Sequence, residues 1–194
     1  MLSSISFFLK LNNHKTIIYK KRRDNMNKII KRITMTAMFA SLICVATMVI
    51  KIPTSVNGYI NIGDCVILMA AYFLPPVYSF FAAAIGSCLA DLFSGYFVYA
   101  PVTFLIKGLM AVIAYFINKK LSNKINENIS IIISGLIAEL FMVGSYFIFE
   151  GFMYSFASSI VNVPLNLIQA GVGLVLSFIL YKSLKKVFIE ELKK

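Results

Sequence analysis

The chain has no tryptophan and one histidine in 194 residues. That histidine, His14, lies in a polar N-terminal stretch, so imidazole chemistry is missing from the apolar remainder. Stacking on a planar ring falls to tyrosine or phenylalanine. Three cysteines, Cys44, Cys65 and Cys88, sit in or beside apolar runs without CxxC spacing. They give neither a disulfide framework nor a metal site. No GxxxxGK(S/T) phosphate loop occurs, so the chain carries no ATP-hydrolysing site of its own. Acids are scarce, with 8 Asp and Glu against 19 Lys and Arg. Without a catalytic base or metal cluster in the apolar part, the sequence does not read as an enzyme, and no cofactor is called for.

What remains is apolar. Hydrophobic residues make up 59% of the chain, against about 45–50% in soluble domains, and the mean hydropathy is +0.83. A membrane span needs roughly 20 such residues. The runs Ile33–Ile50, Cys65–Leu74, Val77–Phe93, Pro101–Ile117, Ile129–Phe149 and Ile160–Tyr181 predict six spans in an all-α, multi-pass membrane protein. The second is short, reaching only about 15 Å as a helix. It either begins earlier, near Tyr59, or is partly re-entrant. Pro75-Pro76 separates it from the third, because proline lacks the amide and disfavours helix before it.

Charge then orients the spans. All but two of the 19 basic residues lie before Ile33, in the Lys119–Lys124 loop, or after Tyr181. With six spans these three regions share one side, which the positive-inside rule makes cytoplasmic for both termini. With five, the Lys119 loop would be stranded outside. The net charge of +11 therefore reads as orientation and contact with anionic lipid, not as nucleic-acid binding. The expected organisation is a flexible basic segment over 1–27, a six-helix membrane domain over 28–186 and a cytoplasmic tail over 187–194. The apolar run Ile5–Leu11 is short and broken by Lys10, unlike a signal peptide.

The charged residues outside the cytoplasmic segments are Lys51, Asp64, Asp91, Lys107, Glu139 and Glu150. An ionisable group inside a span costs at least about 2.5–3.5 kcal/mol at its centre, so it marks a cavity, a partner or function. At 1.5 Å per residue, Lys107 and Asn166 lie about 9 Å in from the outer face, Gln169 about 13 Å and Glu139 about 15 Å. Asp64 and Asp91 sit near outer helix ends. The inner halves of the spans are almost purely apolar. This predicts a pocket open outward and closed toward the cytoplasm. Helical spacing aligns Glu139, Val143, Tyr146 and Glu150 on one stripe, Asn162, Asn166, Gln169 and Gly173 on a second, and Thr103, Lys107, Ala111 and Ala114 on a third. Polar groups among small and aromatic ones suit a compact ligand held by a few directed hydrogen bonds.

Each member also has a plain structural reading. Lys107 could pair with Glu139 or Asp91, and Asn166 and Gln169 could join helices. Tyr96 and Tyr99 could form an interfacial belt, and Asp91 could cap a helix end. In the first span Thr34, Ala37, Ser41 and Val45 form a small-residue stripe. It suits close approach of another helix, inside this chain or in a partner.

Four segments carry a resemblance. Gly58–Asp64 (GYINIGD), Gly86–Pro101 (GSCLADLFSGYFVYAP), Ile106–Gly108 (IKG) and Pro164–Gln169 (PLNLIQ) resemble substrate-binding S components of energy-coupling factor (ECF) transporters, from about Lys28 to Lys186. These capture vitamins or their precursors in prokaryotes. The resemblance implies six helices in a cell membrane and an outward pocket lidded by Lys51–Asp64, with Pro53, Gly58 and Gly63 as turn points. It also implies partners: a transmembrane coupling subunit and two cytoplasmic ATPases. The family's first helix presents Ala-x-x-x-Ala to that subunit, and Ala37 and Ser41 stand there in this chain. The expected ligand contacts are Asn61, Asp64, Asp91, Tyr96, Tyr99, Lys107, Glu139, Tyr146, Asn162, Asn166 and Gln169, around a small ring such as a pyrimidine or pyridine vitamin precursor. The competing expectation is a stand-alone proton-coupled transporter using Asp91 or Glu139.

Overall fold

The computed structural model describes residues 2–53 and 59–193, with side chains over 22–23, 25–52 and 59–188. Gly58 lies outside the described residues. Two compact units divide within the first helix, Met1–Met35 and Thr36–Lys194. In the first unit, most described side chains from Arg22 on are exposed. The expected boundary between residues 27 and 28 falls inside a helix.

Among the described residues six helices and one two-stranded hairpin follow in order: α1 (Leu2–Val49), β1 (Lys51–Pro53), β2 (Tyr59–Asn61), α2 (Gly63–Phe73), α3 (Pro76–Phe93), α4 (Ala100–Leu121), α5 (Glu127–Met153) and α6 (Phe156–Lys193). All six predicted spans are helices. Five are long and apolar enough to cross a membrane, the first of them over Asn25–Val49. The sixth, α2, has 11 residues, about 16 Å of helix. Nine of its residues are buried, so its neighbours shelter it from lipid. It does not begin near Tyr59. Tyr59–Asn61 is instead a strand, antiparallel to Lys51–Pro53 with Ile52 opposite Ile60. The pairing satisfies backbone groups that the end of a membrane bundle cannot leave bare.

The breaks follow the sequence. Pro75 is extended, and Pro76 opens α3 where a missing amide costs nothing. After α3, Gly95 takes φ +82°, a conformation glycine adopts without strain. Asn126 caps α5, its side chain accepting from the Asn128 amide. Pro164 lies inside α6, which leaves the carbonyl four residues back without its helical donor.

The Thr36–Lys194 unit inverts the usual soluble pattern. Leu105, Leu109, Phe116, Leu140, Val175 and Ile179 are exposed, while Ala82, Ala83, Ala84, Ala111, Ala114 and Ala138 are fully buried. Apolar bulk faces lipid, and small residues let the helices approach. Gly86 shows how closely: a Cβ there would lie 2.5 Å from the Ala40 carbonyl oxygen, so α1 and α3 approach backbone to backbone. Asp64, Asp91, Lys107, Glu139, Glu150, Asn162 and Gln169 are all buried within this unit.

Candidate ligand-binding site

The buried charged groups and amides, Asp64, Asp91, Lys107, Glu139, Glu150, Asn162 and Gln169, gather toward the end of the bundle that carries the hairpin and the α3–α4 and α5–α6 connections. A cleft partly open to solvent lies there. Its walls hold Thr47 of α1, Tyr59 and Asn61 of β2, Ser87 and Asp91 of α3, Tyr96 between α3 and α4, and Tyr99, Thr103 and Lys107 along the start of α4. Tyr146 and Glu150 of α5 and Asn162, Asn166 and Gln169 of α6 complete them.

The floor is an ion pair. Lys107 Nζ lies 2.5 Å from Asp64 Oδ1, with side chains 4% and 0% exposed. Gln169 Nε2 donates to the other Asp64 oxygen at 2.5 Å. The Gln169 carbonyl oxygen accepts from the Asn61 amide N–H at 2.9 Å, and Asn61 Oδ1 accepts from the Gly63 N–H at 2.8 Å. One line of hydrogen bonds thus runs from hairpin to α6 to α2 to α4. Gly63 makes the tight corner possible, since a Cβ there would collide with the Thr47 hydroxyl and lie 2.9 Å from Asn61 Oδ1. The Lys107 ammonium also sits over the Tyr146 ring, 5.5 Å from its centroid.

The rim is aromatic. Tyr59 donates its hydroxyl to Asp91 Oδ1. Burial first, and then the Asp91 carboxylate, hold the Tyr59 phenol protonated well above its ordinary range. The Tyr59 and Tyr96 rings lie 4.8 Å apart, with Lys51 Nζ 5.2 and 5.3 Å from their centroids. On the opposite wall, Tyr99 Oη and Asn162 Nδ2 donate to Glu150 at 3.5 and 2.9 Å. Thr103 and Tyr146 share a hydrogen bond of 3.0 Å.

The structure brings together nine of the expected contacts: Asn61, Asp91, Tyr96, Tyr99, Lys107, Tyr146, Asn162, Asn166 and Gln169 line the cavity. Asp64 and Glu139 do not. Asp64 lies behind the wall as the counter-ion of Lys107, a partner the sequence reading assigned to Glu139 or Asp91. Glu139 is 1% exposed, and neither of its oxygens meets a hydrogen-bond partner among the described residues. Its carboxyl occupies the space left by Gly173, where a Cβ would be 2.8 Å from Oε1.

Thr47, Tyr59, Ser87, Thr103 and Glu150 also line the cavity and were not among the expected ligand contacts. Thr103 and Glu150 share stripes with Lys107 and Tyr146. Ser87 lies one helical turn before Asp91, which is the signal that marks it. Thr47 sits in an apolar run and gives none. Among the described residues no group of three or more His, Cys, Asp or Glu could hold a metal ion.

Comparisons with known proteins give the family and the fold. The family described as ECF-type riboflavin transporter, S component, matches residues 27–186. An uncharacterized protein in gap 3'region of Pyrococcus woesei is 29% identical over 145 residues, covering 74% of this chain and 95% of that protein. The thiamine precursor transporter HmpT of Lactococcus lactis subsp. cremoris (strain MG1363) is 28% identical over 162 residues, covering 82% of this chain and 90% of that one. A solved S component of a bacterial ECF transporter superposes with a TM-score of 0.62 at 21% identity, over 81% of this chain and 96% of that one, a likeness of fold.

Proposed function

Since the chain belongs to the S-component family of energy-coupling factor transporters, which are transport subunits and not enzymes, we propose that it is the high-affinity binding subunit of an ATP-driven importer for a small vitamin or vitamin precursor. The carrying observation is the cavity: a polar, aromatic-rimmed space at one end of an otherwise apolar bundle. A few directed polar groups among apolar walls hold a small molecule tightly. Among the described residues no comparable row of buried acids and bases continues along the helices to carry a proton through. The distribution of basic residues along the sequence favours a cell membrane of a prokaryote, with both termini and the Lys119–Lys124 loop cytoplasmic. The cavity then faces outward, with Tyr59 and Asn61 of β2 in its wall.

The ligand we favour is a small planar heterocycle such as a pyrimidine or pyridine, in keeping with the thiamine-precursor relative. Tyr96, Tyr99 and Tyr146 supply the aromatic faces. Motive force comes from a transmembrane coupling subunit and two cytoplasmic ATPases. Ala37 and Ser41 of α1 are exposed on this chain, and Ser41 Oγ turns back to the Ala37 carbonyl at 2.6 Å, so the stripe presents a small, self-satisfied surface to that subunit.

Reconstituted vesicles test the reading. Concentrative uptake should require the coupling subunit, the ATPases and ATP, while the chain alone binds ligand without accumulating it. Accumulation by the chain alone under a proton gradient would replace this reading with a secondary transporter. Ala37→Trp should leave binding unchanged and abolish copurification with the coupling subunit; an intact complex would remove α1 from the interface.

A further inference from the structure

Behind the cavity floor a buried acid and a buried base share one interior and do not meet. Glu139 is 1% exposed, and neither of its carboxyl oxygens has a hydrogen-bond partner among the described residues. Lys107 is 3% exposed. An ammonium has three N–H donors, and the one hydrogen bond that Lys107 makes among the described residues goes to Asp64 Oδ1 at 2.5 Å. Both groups keep bonding capacity that their surroundings leave open, which is costly in a buried place and seldom tolerated without a use.

The two carboxyls are neighbours. The point where a Cβ on Gly173 would stand lies 2.8 Å from Glu139 Oε1 and 3.1 Å from Asp64 Cβ. The titratable groups that act on Glu139 are Asp64, Cys65 and Tyr72 of α2 and Lys107 of α4; from α6 its neighbour is Gly173. Tyr72 is committed, its hydroxyl donating to the Ile131 carbonyl at 3.0 Å. Among these groups Lys107 is the one cation. Its ammonium already faces α5, 5.5 Å from the ring centroid of Tyr146, which shares the Glu139 stripe.

We propose that Lys107 exchanges between Asp64 and Glu139, which makes Glu139 a positioning residue for the cavity floor. One ammonium and two carboxyls are neutral together when one carboxyl is ionised and the other keeps a proton. In the first arrangement Lys107 holds Asp64, as the structure has it, and Glu139 keeps the proton. In the second the ammonium moves to Glu139, and the Glu139 proton moves to Asp64. Charge and protons balance within the three side chains. The change reaches the hairpin through Gln169, which donates to Asp64 Oδ2 and accepts from the Asn61 N–H. A charged acceptor binds a donor about twice as strongly as a neutral one, so neutralising Asp64 slackens the hold on β2.

Infrared spectra and thermal melts of the purified full-length chain in detergent test the exchange. They need no ligand, so their outcome is independent of the binding-subunit reading. Glu139→Gln should remove one carboxylic-acid carbonyl band from the wild-type spectrum. In an Asp64→Asn background Glu139 is the carboxyl left for Lys107. There the same substitution should remove an ionised carboxylate band instead, and lower the melting temperature on the order of 10 °C beyond the two single falls together. Glu139→Gln alone keeps the shape of the side chain and holds Lys107 on Asp64. It should slow amide hydrogen exchange across Tyr59–Asn61 roughly 3- to 10-fold. That comparison uses only the wild type and a conservative variant, so it decides even where Asp64→Asn does not fold. A merely structural Glu139 would keep its acid band when Asp64 becomes Asn and would leave the exchange of the hairpin unchanged. A persisting acid band, additive melting temperatures, unaltered hairpin exchange or an ionised Glu139 in the wild type each overturn the proposal.

Discussion

Two ion pairs of equal length stand at opposite ends of the bundle. Lys107 meets Asp64 at 2.5 Å, and Lys185 meets Glu127 at 2.5 Å. Their surroundings differ. The first pair is 4% and 0% exposed, the second 37% and 47%. The exposed pair is screened and contributes about 0–1 kcal/mol. With Tyr181, which also donates to Glu127 at 2.8 Å, it ties α5 to α6. The buried pair has given up its hydration, and its attraction does little more than offset that loss. What it adds is position. Asp64 is fixed by Lys107 and Gln169, Gln169 fixes the hairpin through Asn61, and the floor of the cavity is set before any ligand arrives.

That contrast can be broken at either end. Lys107→Met should have the largest effect, because it leaves Asp64 charged, buried and uncompensated, at a cost of about 3–5 kcal/mol. A sharp fall in melting temperature in detergent and loss of ligand binding are expected. Adding Asp64→Leu should restore the melting temperature and not the binding. Recovery of both would show the pair to be packing alone. Next in size is Asn166→Leu. Asn166 lines the cavity, so losing its hydrogen bond to ligand should cost about 1–3 kcal/mol of affinity with the fold intact. Unchanged affinity would remove Asn166 from the contacts. Smallest is Lys185→Met, expected to shift stability by less than about 1 kcal/mol and to leave binding alone. A fall as large as that of Lys107→Met would erase the distinction between the two ends.

The spans were legible because lipid demands long apolar runs, and the end of α2 because Pro75-Pro76 cannot continue it. The hairpin was not, since two strands of three residues carry no periodicity of their own. The cavity walls were largely legible, because intramembrane polar residues are rare and helical spacing gives their faces. The partner of Lys107 was not. Glu139 and Asp91 were the partners within reach on paper, and the packing of α2 against α4 brings Asp64 there instead. Asp64 sits one residue inside a short helix, so its position near the outer helix end suggested a ligand contact, while its neighbours bury it completely. Glu139 was misplaced for the opposite reason. Its stripe points inward, but Gly173 gives it room behind the wall. Ser87 hid because an α3 rich in alanine reads as packing surface, and only the turn it shares with Asp91 gives it away.

The central claim is that the cavity under the hairpin is where this S component holds its ligand. A structure of the full chain with its copurifying small molecule tests that most directly. Density for one molecule bounded by Asp91, Tyr146 and Asn166, with the Lys107–Asp64 pair intact beneath it, is the predicted result. A molecule bound at the Glu127–Lys185 end, or on the lipid face with the cavity empty, would contradict it.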